Sequence, residues 1–361
     1  MNNNYKLMTG SEAIRDAFIC AQKRIKNILL ISEGVADPSS FYGTTKDLSS
    51  HFKKNQIIEM PLSESALGGI SIGAAINGMR PVLNFHRVEF ALLAMEQIFN
   101  NAAKASYISN GKHKVPLVLR LVIGRGWGQG PTHSQSLENI FSSIPGLKVI
   151  MPTFPNDTKG LIIGAIKDNN PVVIIEHRWC HYVSEKVNKG FFVNNINEGP
   201  KALSNGKDFT IVATSYGVIE SMQAVKILKK YGINVALFDL RILRPLNLKK
   251  IITSVNQTGR LLTIDTGFKF LGIGSEIVSQ ITEKCFSNLK ASPIRLGFPD
   301  HPTPSSRGYL KNVYTNTQII CDKIMRGLKV NKNIQKKVKE NIKKISTKEI
   351  DIPNPLFKGP F

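Results

Sequence analysis

The chain has 361 residues, a length typical of two domains rather than one. Hydrophobic residues make up 42% of it, which is enough to build folded cores and excludes a disordered chain. Lysine and arginine number 48 against 26 aspartates and glutamates, so the net charge is +22. A basic protein attracts anions, but these basic residues are spread along the whole chain, which favours a solvated lysine-rich surface and no nucleic-acid partner.

The four cysteines lie far apart, with no CxxC pair and no spacing typical of metal ligands: Cys20, Cys180, Cys285 and Cys321. We therefore expect reduced thiols in a cytoplasmic protein. The first residues lack a charged region followed by an apolar one, so no signal peptide is expected. No apolar run approaches the roughly 20 residues that a membrane-spanning helix needs.

Short apolar, β-branched runs alternate with stretches of helical spacing through most of the chain. This alternation predicts an α/β fold in which helices cover both faces of parallel sheets. The predicted strands are 27–31, 81–85, 116–123, 147–151, 171–176, 209–214, 233–239, 260–265 and 293–297. The predicted helices are 90–106, 156–168, 218–231 and 274–285.

The predicted domain boundary lies in a polar stretch, 182–208, that contains glycine and asparagine and has no sustained period. We expect a first domain at 1–188, a linker at 189–207 and a second domain at 208–330. The remaining residues, 331–361, form a third zone.

The pattern of this third zone predicts a basic amphipathic tail. Ile334, Val338, Ile342 and Ile345 fall at i, i+4, i+8 and i+11 among many lysines, which describes one apolar stripe of a helix. The three prolines near the end of the chain cannot continue that helix.

Glu64 stands where a polar loop gives way to a predicted helix. The segment 59–75 reads EMPLSESALGGISIGAA, and its small residues would let that helix approach another backbone closely. A carboxylate at the start of a helix complements the positive end of the helix dipole. Taken alone, the pattern favours a purely structural role for Glu64.

A glycine-rich segment at 124–136, GRGWGQGPTHSQS, holds four glycines in its first seven residues, interrupted by Arg125 and Trp127. Loops of this composition often lie against a ligand. His133 follows, and a histidine in such a loop can donate a proton or bind an anion. No second His or Cys lies at ligand spacing, which disfavours a metal, and the glycine spacing differs from that of phosphate-binding loops.

Polar residues follow two of the predicted strands at the point where each strand ends. His86 and Arg87 come after one strand and could face an anionic substrate. His177 and Arg178 come after another, and polar groups beyond the carboxyl ends of parallel strands commonly line a ligand crevice. By pattern alone, Phe90 is most simply a core residue.

Taken together, these segments resemble the beta subunit of the decarboxylating component of 2-oxo acid dehydrogenase complexes, of the pyruvate and branched-chain types. The resemblance runs from about residue 8 to about residue 314. The matching stretches read ISEGVAD, PLSESALGGISIGAAINGMRPV, EQIFNNAAK, GPTHSQSLE, IPGLKVIMP, AIKDNNPVV, FDLRILRPL and GIGSE. So many stretches in the same order make a specific match.

The resemblance implies two doubly wound α/β domains, a thiamine diphosphate pyrimidine-binding domain followed by a transketolase-like C-terminal domain. It implies an α2β2 tetramer in which an alpha-type chain holds most of the Mg²⁺ and diphosphate site. The GDG motif of that site is absent here, which fits this division. A lipoyl acyltransferase is the implied acyl acceptor, and a structural K⁺ site is implied at Leu117, Ala165, Asp168 and Asn170.

The resemblance gives Glu64 a catalytic role. It matches the family glutamate that contacts the aminopyrimidine ring nitrogen and thereby switches the cofactor on. Phe90 matches the aromatic residue that packs on this ring, and Glu33 matches an acidic residue near the cofactor. His133 matches the histidine of the active-site loop, which is implied to bind the substrate carboxylate and to take part in acyl transfer.

Some segments depart from the family pattern. GRGWGQG and EHRWCH are unlike the dehydrogenase subunits, so Arg125, Trp127, His177 and Arg178 are predicted to reshape the substrate pocket. Together with the lysine-rich tail that ends in IPNPLFKGPF, they resemble stand-alone relatives from surface-glycan or specialised biosynthetic pathways.

Several functions therefore stay open from the sequence. Decarboxylation of a 2-oxo acid with transfer of the acyl group to a lipoyl arm is favoured. The same cofactor could instead join a two-carbon unit to an aldehyde or ketone, as a carboligase or transketolase-like synthase does. A non-catalytic subunit is disfavoured by the presence of Glu64, Phe90 and His133, and a nucleic-acid or anionic-surface binder is motivated only by the charge.

Overall fold

The computed structural model describes residues 4–35, 41–125, 128–311 and 313–345. The strands are β1 (Tyr5–Thr9), β2 (Ile28–Ser32), β3 (Ile57–Glu59), β4 (Arg80–Phe85), β5 (Val118–Ile123), β6 (Lys148–Ile150), β7 (Val172–His177), β8 (Ser184–Asn188), β9 (Lys201–Ser204), β10 (Phe209–Ala213), β11 (Val235–Asp239), β12 (Ile242–Arg244), β13 (Leu261–Phe268) and β14 (Ile294–Phe298). The α-helices are α1 (Gly10–Gln22), α2 (Glu64–Ile76), α3 (Ala105–Ile108), α4 (Glu138–Ser142), α5 (Pro155–Lys167), α6 (Tyr216–Lys229), α7 (Lys249–Thr258), α8 (Ile273–Cys285), α9 (Thr317–Gly327) and α10 (Lys332–Ile345).

The first sheet, among the residues described, has seven strands in the order β12-β6-β7-β5-β4-β2-β3. All neighbouring pairs are parallel except β12 with β6. β2, β5 and β7 are buried along their whole length. The reason is that α1 and α5 cover one face, while α2 and the helical segment after β4 cover the other. This architecture confirms the predicted parallel sheet with helices on both faces.

The second sheet has five strands within the described ranges, in the order β14-β13-β10-β11-β9, all parallel apart from β9. α6, α9 and α10 pack on its outer face, whereas α7 and α8 contribute to a core shared with the first sheet. The chain leaves β10 on one side to form β11 and returns on the other side to form β13. The topological switch point of this sheet therefore lies between β10 and β13.

The stretch predicted as one helix at 90–106 is helical but only partly α-helical. It starts with a 3-10 turn at Phe90–Ala94, continues as a π-helix at Gln97–Ala102 and ends in α3. The apolar spacing cannot distinguish these helix types over so few turns. π-Helical turns are rare and occur mostly at functional sites.

Some short strands form where the apolar pattern predicts none. β9 falls inside the predicted linker, 189–207, and pairs with β11. β1 and β8 form a two-stranded ribbon, and β12 joins the first sheet although it belongs to the second half of the chain. An edge strand needs no apolar run, because part of it stays in contact with water. The domain limits at 1–188 and 208–330 stay a prediction.

The helix α10 of the predicted tail is docked on the second domain. Val338 and Ile342 are buried among side chains of α6 and α9, and Ile334 is partly buried beside them. The lysines of α10 are exposed. The side chain of Ile345 and the residues 346–361 lie outside the described part of the chain. None of the described helices is long and apolar enough to cross a membrane.

We expect Val338→Asp to lower the free energy of unfolding by about 3 kcal/mol, because it leaves an unpaired charge in an apolar contact. Lys336→Ala, on the exposed face of the same helix, is the matched control, with an expected change below about 0.5 kcal/mol. Chemical denaturation measures both variants. If Val338→Asp were as stable as Lys336→Ala, α10 would not be packed on the domain.

Candidate active site

Glu64 is the first residue of α2, and its side chain is half-buried. Ser63 precedes it in the N-cap position but makes no side-chain capping bond, so Glu64 supplies the negative charge at this helix start. Gly68 in the run that follows has a packing role, since a Cβ on it would lie 2.9 Å from Cβ of Gln97 in the π-helical turn. α2 thus lies close against the segment that begins with Phe90.

Glu33, which follows β2, lies near Glu64. The backbone N–H of Ser63 lies close enough to the Glu33 carboxylate to counter a rise in its pKa, so the end of β2 lies beside the start of α2. Burial raises the pKa of Glu33, and the neighbouring carboxylates of Glu64 and Glu59 raise it further. Oε1 of Glu33 is buried, and no residue that the structure describes donates a hydrogen bond to it. The structure therefore brings the two predicted cofactor acids together.

Phe90 and His133 form an edge-to-face ring contact, with centroids 5.9 Å apart. By pattern alone Phe90 is most simply a core residue, but 38% of it is exposed. The phenylalanines on either side of Phe90 along the chain do pack inside: Phe85 is buried, and Phe99 packs against Phe141. An exposed aromatic ring beside a histidine suits a flat ligand better than a core role.

His86 lies beside the backbone of Glu33. Its Nε2 is 2.9 Å from Oγ of Ser32, and that hydroxyl donates a 2.9 Å hydrogen bond to the Glu33 carbonyl. Burial, followed by the nearby Arg120 guanidinium, lowers the pKa of His86 to about 3, so the imidazole is neutral at physiological pH. His86 is therefore placed to support the turn that carries Glu33.

Arg87 and Glu89 hold the loop that carries His133. The buried Arg87 guanidinium donates to the His133 carbonyl and to the side-chain oxygen of Gln129. Oε1 of Glu89 accepts a 2.9 Å hydrogen bond from the backbone N–H of Gln135. Arg87 was predicted from its place after a strand, but no local pattern points to Glu89, because its partner is 46 positions away along the chain.

Arg125, His177 and Arg178 lie elsewhere, around a crevice between the two sheets. The carboxyl ends of β5 and β7 line one side of it, and Tyr216 after β10 and Asp265 within β13 line the other. The crevice has about 540 Å³ of empty space, including its open mouth. Arg178 is fully buried beside it and donates from Nε to the Arg125 carbonyl at 3.0 Å. Because this crevice lies at the switch point of the second sheet, it is a second candidate ligand site.

The side chains around this crevice are stacked on one another. The Arg125 guanidinium lies 3.2 Å from the ring centroid of Tyr314 and 4.6 Å from that of Trp179. Nδ1 of His177 accepts a 3.1 Å hydrogen bond from the Trp179 backbone N–H. Burial lowers the pKa of His177 well below its ordinary value, and the neighbouring arginines lower it further. Trp127, also predicted to line the pocket, lies outside the described residues.

A buried ion pair inside the first sheet, Arg120 with Glu176, is a feature that the sequence analysis missed. Arg120 on β5 donates to both carboxylate oxygens of Glu176 on β7, at 2.7 and 2.8 Å, and the two side chains are 1% and 2% exposed. Arg120 also donates to Asn84 on β4, and His181 lies 3.2 Å from Glu176. Burial alone would raise the pKa of Glu176, but the Arg120 guanidinium lowers it to about 2. The available signal is an arginine within the apolar run VLRLVI, since a buried arginine needs a partner.

The predicted K⁺ residues lie near the end of α5, where two protein cations already meet their acceptors. Lys148 pairs with Oδ2 of Asp168 at 2.5 Å, and Arg80 donates to the Asp168 carbonyl at 2.9 Å. Oδ1 of Asp168 accepts from the Asn170 backbone N–H, and the Leu117 carbonyl accepts from a strand N–H. Protein groups thus already bind several of these oxygens, and the K⁺ site stays a prediction from the resemblance.

The sequence matches two known domain families and several named proteins over most of its length. Residues 6–180 match the transketolase pyrimidine binding domain, and residues 200–318 match the transketolase C-terminal domain. The mitochondrial pyruvate dehydrogenase E1 component subunit beta of Saccharomyces cerevisiae is 33% identical over 329 residues, which cover 90% of each chain. The pyruvate dehydrogenase E1 component subunit beta of Porphyra purpurea is 36% identical, over 81% of this chain and 88% of that protein.

A differently named relative is the acetoin:2,6-dichlorophenolindophenol oxidoreductase subunit beta of Cupriavidus necator. It is 38% identical over 73% of this chain and 78% of that protein. Among solved structures, a split gene transketolase described as an inactive beta4 tetramer superposes with a TM-score of 0.72, over 90% of this chain and 99% of that one. Its sequence identity is 19%, so this likeness shows the fold alone. The comparisons confirm the resemblance and the α/β fold predicted from the sequence.

Removing one partner of the buried ion pair is expected to cost more than removing both. Arg120→Met leaves the Glu176 carboxylate without its cation and is expected to lower the free energy of unfolding by about 4 kcal/mol. Arg120→Met combined with Glu176→Leu is expected to cost about 1 kcal/mol. Chemical denaturation at pH 7 compares the single and the double variant. An equal loss of unfolding free energy in both would contradict the pairing.

The same pair predicts a dependence of stability on pH. Its Glu176 pKa of about 2 lies below the ordinary 4.5 of an unfolded chain. A depressed pKa stabilises the fold fully above about pH 4.5, and this stabilisation is lost as the pH falls towards 2. Denaturation at pH 7 and at pH 3 is expected to show a larger loss of stability for the wild type than for Arg120→Met. In that variant the carboxylate is buried without its cation, and burial favours the protonated form, so acid relieves a cost that the folded state already carries.

Proposed function

The chain belongs to the family of pyruvate dehydrogenase E1 beta subunits, and we propose that it is the beta-type subunit of a thiamine diphosphate enzyme that decarboxylates a 2-oxo acid and transfers the acyl group. The observation that supports this most is the group formed by Glu33 and Glu64 with the Phe90–His133 ring pair. Glu33 and Phe90 follow the neighbouring strands β2 and β4, so the sheet itself brings them to one edge.

The residues present fit the aminopyrimidine ring of thiamine diphosphate. A flat heteroaromatic ring needs an apolar face to pack on, and Phe90 exposes one. A ring nitrogen needs a carboxyl group within reach, and Glu64 stands half-buried at the start of α2. The unpartnered Oε1 of Glu33 offers a further acceptor. Thiamine diphosphate, when bound, supplies the electron sink that a 2-oxo acid needs in order to lose its carboxylate.

Each of these side chains has a distinct role in the proposal. Glu64 holds a proton at the pyrimidine ring nitrogen and thereby sets the tautomer of that ring. Phe90 orients the ring by packing on it, and Glu33 places a second carboxyl group beside the start of α2. His133 binds the substrate carboxylate and assists the transfer of the acyl group.

An alpha-type subunit completes the site in this proposal, as part of an α2β2 tetramer. The relatives are named subunit beta of their enzymes, and the sequence lacks a GDG motif for Mg²⁺ and diphosphate. Mg²⁺ would therefore be held mainly by the partner, and a lipoyl acyltransferase would accept the acyl group. Large apolar side chains are exposed on or beside the segments that carry Glu64 and Phe90, as is typical of a protein interface: Leu62, Ile70, Leu93, Tyr107 and Ile108.

A thiamine diphosphate carboligase or transketolase-like synthase is a second candidate. GRGWGQG and EHRWCH, the two departures from the family pattern, meet at the crevice lined by Arg125 and His177. Ser134, which directly follows His133, lines the same crevice. A changed wall next to the proposed substrate histidine favours an acyl acceptor other than a lipoyl arm.

Co-expression with an alpha-type subunit tests the proposal. We expect the assembled enzyme to release CO₂ from a 2-oxo acid when an artificial electron acceptor is present. We expect the isolated chain to bind thiamine diphosphate weakly in calorimetry, because half of the site lies on the partner. Product analysis with added aldehydes tests the carboligase alternative. Tight, metal-dependent binding by the isolated chain would contradict the shared site.

Glu64→Gln is expected to leave the assembly intact and to slow proton exchange at the cofactor by roughly 100-fold or more, because an amide cannot hold the proton at the ring nitrogen. Glu283→Gln, exposed on α8, is the matched control and is expected to exchange as fast as the wild type. Hydrogen–deuterium exchange followed by NMR measures both. Near-normal exchange in Glu64→Gln would rule out this role.

A further inference from the structure

The short segment after β4 contacts the His133 loop at three separate points. Arg87 donates to the His133 carbonyl. Glu89 accepts from the Gln135 N–H at 2.9 Å. The Phe90 ring meets the His133 ring edge-on at 5.9 Å. The carbonyl of this histidine, the backbone two residues after it and its ring are therefore all held by one segment of the first domain.

Two buried polar atoms in this arrangement have no hydrogen-bond partner among the residues described: Oε2 of Glu89 and Nδ1 of His133. A buried polar atom without a partner is costly, so each of them calls for one. They complement each other, because one is a carboxylate acceptor and the other is a ring nitrogen that can carry a proton. Burial raises the pKa of Glu89, and Gln135, Arg87 and His133 all counter this rise, so His133 is near enough to act on the carboxylate.

We propose that Glu89 is a positioning residue for His133, accepting a hydrogen bond from its Nδ1–H so that Nε2 faces the substrate. This inference rests on the proposed function of His133. Hydrogen bonds between catalytic groups are often long in a free enzyme and shorten only in the complex with substrate. Glu89 is held for this role, since its other oxygen is already fixed to the Gln135 N–H.

A carboxylate on one ring nitrogen has a defined chemical effect. It places the proton on Nδ1, sets the orientation of the ring and leaves Nε2 to act on the ligand. Arg87 contributes by a different route, because its guanidinium holds the backbone carbonyl of His133 and the Gln129 side chain. The Glu89 carboxylate thus orients the imidazole ring of His133, and the Arg87 guanidinium holds the backbone of the loop in place.

The test is a double-mutant cycle in the enzyme assembled with its alpha-type partner. We expect Glu89→Gln to lower kcat/KM for the 2-oxo acid about 10-fold, in the range found when a group that orients a histidine is lost. In a His133→Gln background, where there is no imidazole left to orient, we expect Glu89→Gln to cost less than about twofold. The same 10-fold loss in both backgrounds would overturn the proposal, since it would show a role independent of His133.

A second readout separates this inference from the proposed function. Proton exchange at the cofactor depends on Glu64 and is expected to be unchanged in Glu89→Gln. If the wild-type enzyme shows no exchange, the proposed function fails; if exchange is normal and the cycle is additive, only the role of Glu89 fails. Glu96→Gln, exposed on the same helical segment, is the matched control and is expected to match the wild type in both assays.

A second variant covers the case in which Glu89→Gln does not assemble. Glu89→Asp keeps the charge but is shorter by one methylene, so it cannot serve both the Gln135 N–H and the His133 ring. The cycle is then run with Glu89→Asp and His133→Gln under the same criterion. Non-additive losses support the proposal, and additive losses overturn it.

Discussion

One buried ion pair, Arg120 with Glu176, holds together the part of the first sheet whose strand ends carry the candidate site. It joins β5 to β7, and its hydrogen bond to Asn84 extends it to β4. A slip of one residue in any of these strands would turn a polar side chain to the opposite, apolar face, so the pair admits one register. The residues that follow these strands, among them His86 and His177, take their positions from that register.

The glycine-rich loop between β5 and α4 lies between two candidate ligand sites. On one side, His133 packs against Phe90, and on the other, Ser134 and Arg125 line the crevice between the sheets. Arg178 holds the near end of the loop through the Arg125 carbonyl. The two segments that depart from the family pattern are therefore in contact with each other, in the crevice that Ser134 also lines.

In the proposed assembly, this chain supplies only one half of the site around Glu64. A carboxylate partly in contact with water interacts weakly with a ring nitrogen, because water screens the charge. The same contact becomes much stronger once a partner excludes water. The exposed apolar residues beside it, such as Ile70 and Leu93, offer a surface on which such a partner could pack. The proposed role of Glu64 therefore depends on the proposed assembly.

By itself, the sequence determined the α/β class, because the alternation of strand and helix patterns is a local property of the chain. It determined the family too, through many matching stretches in one order. Only the tertiary structure decided what the side chains contact. Phe90 has the spacing of a core residue yet is exposed, Arg87 donates to a loop 46 positions away, and Arg120 finds Glu176 on a neighbouring strand. Such contacts depend on which strand ends lie side by side, and no local pattern records that order.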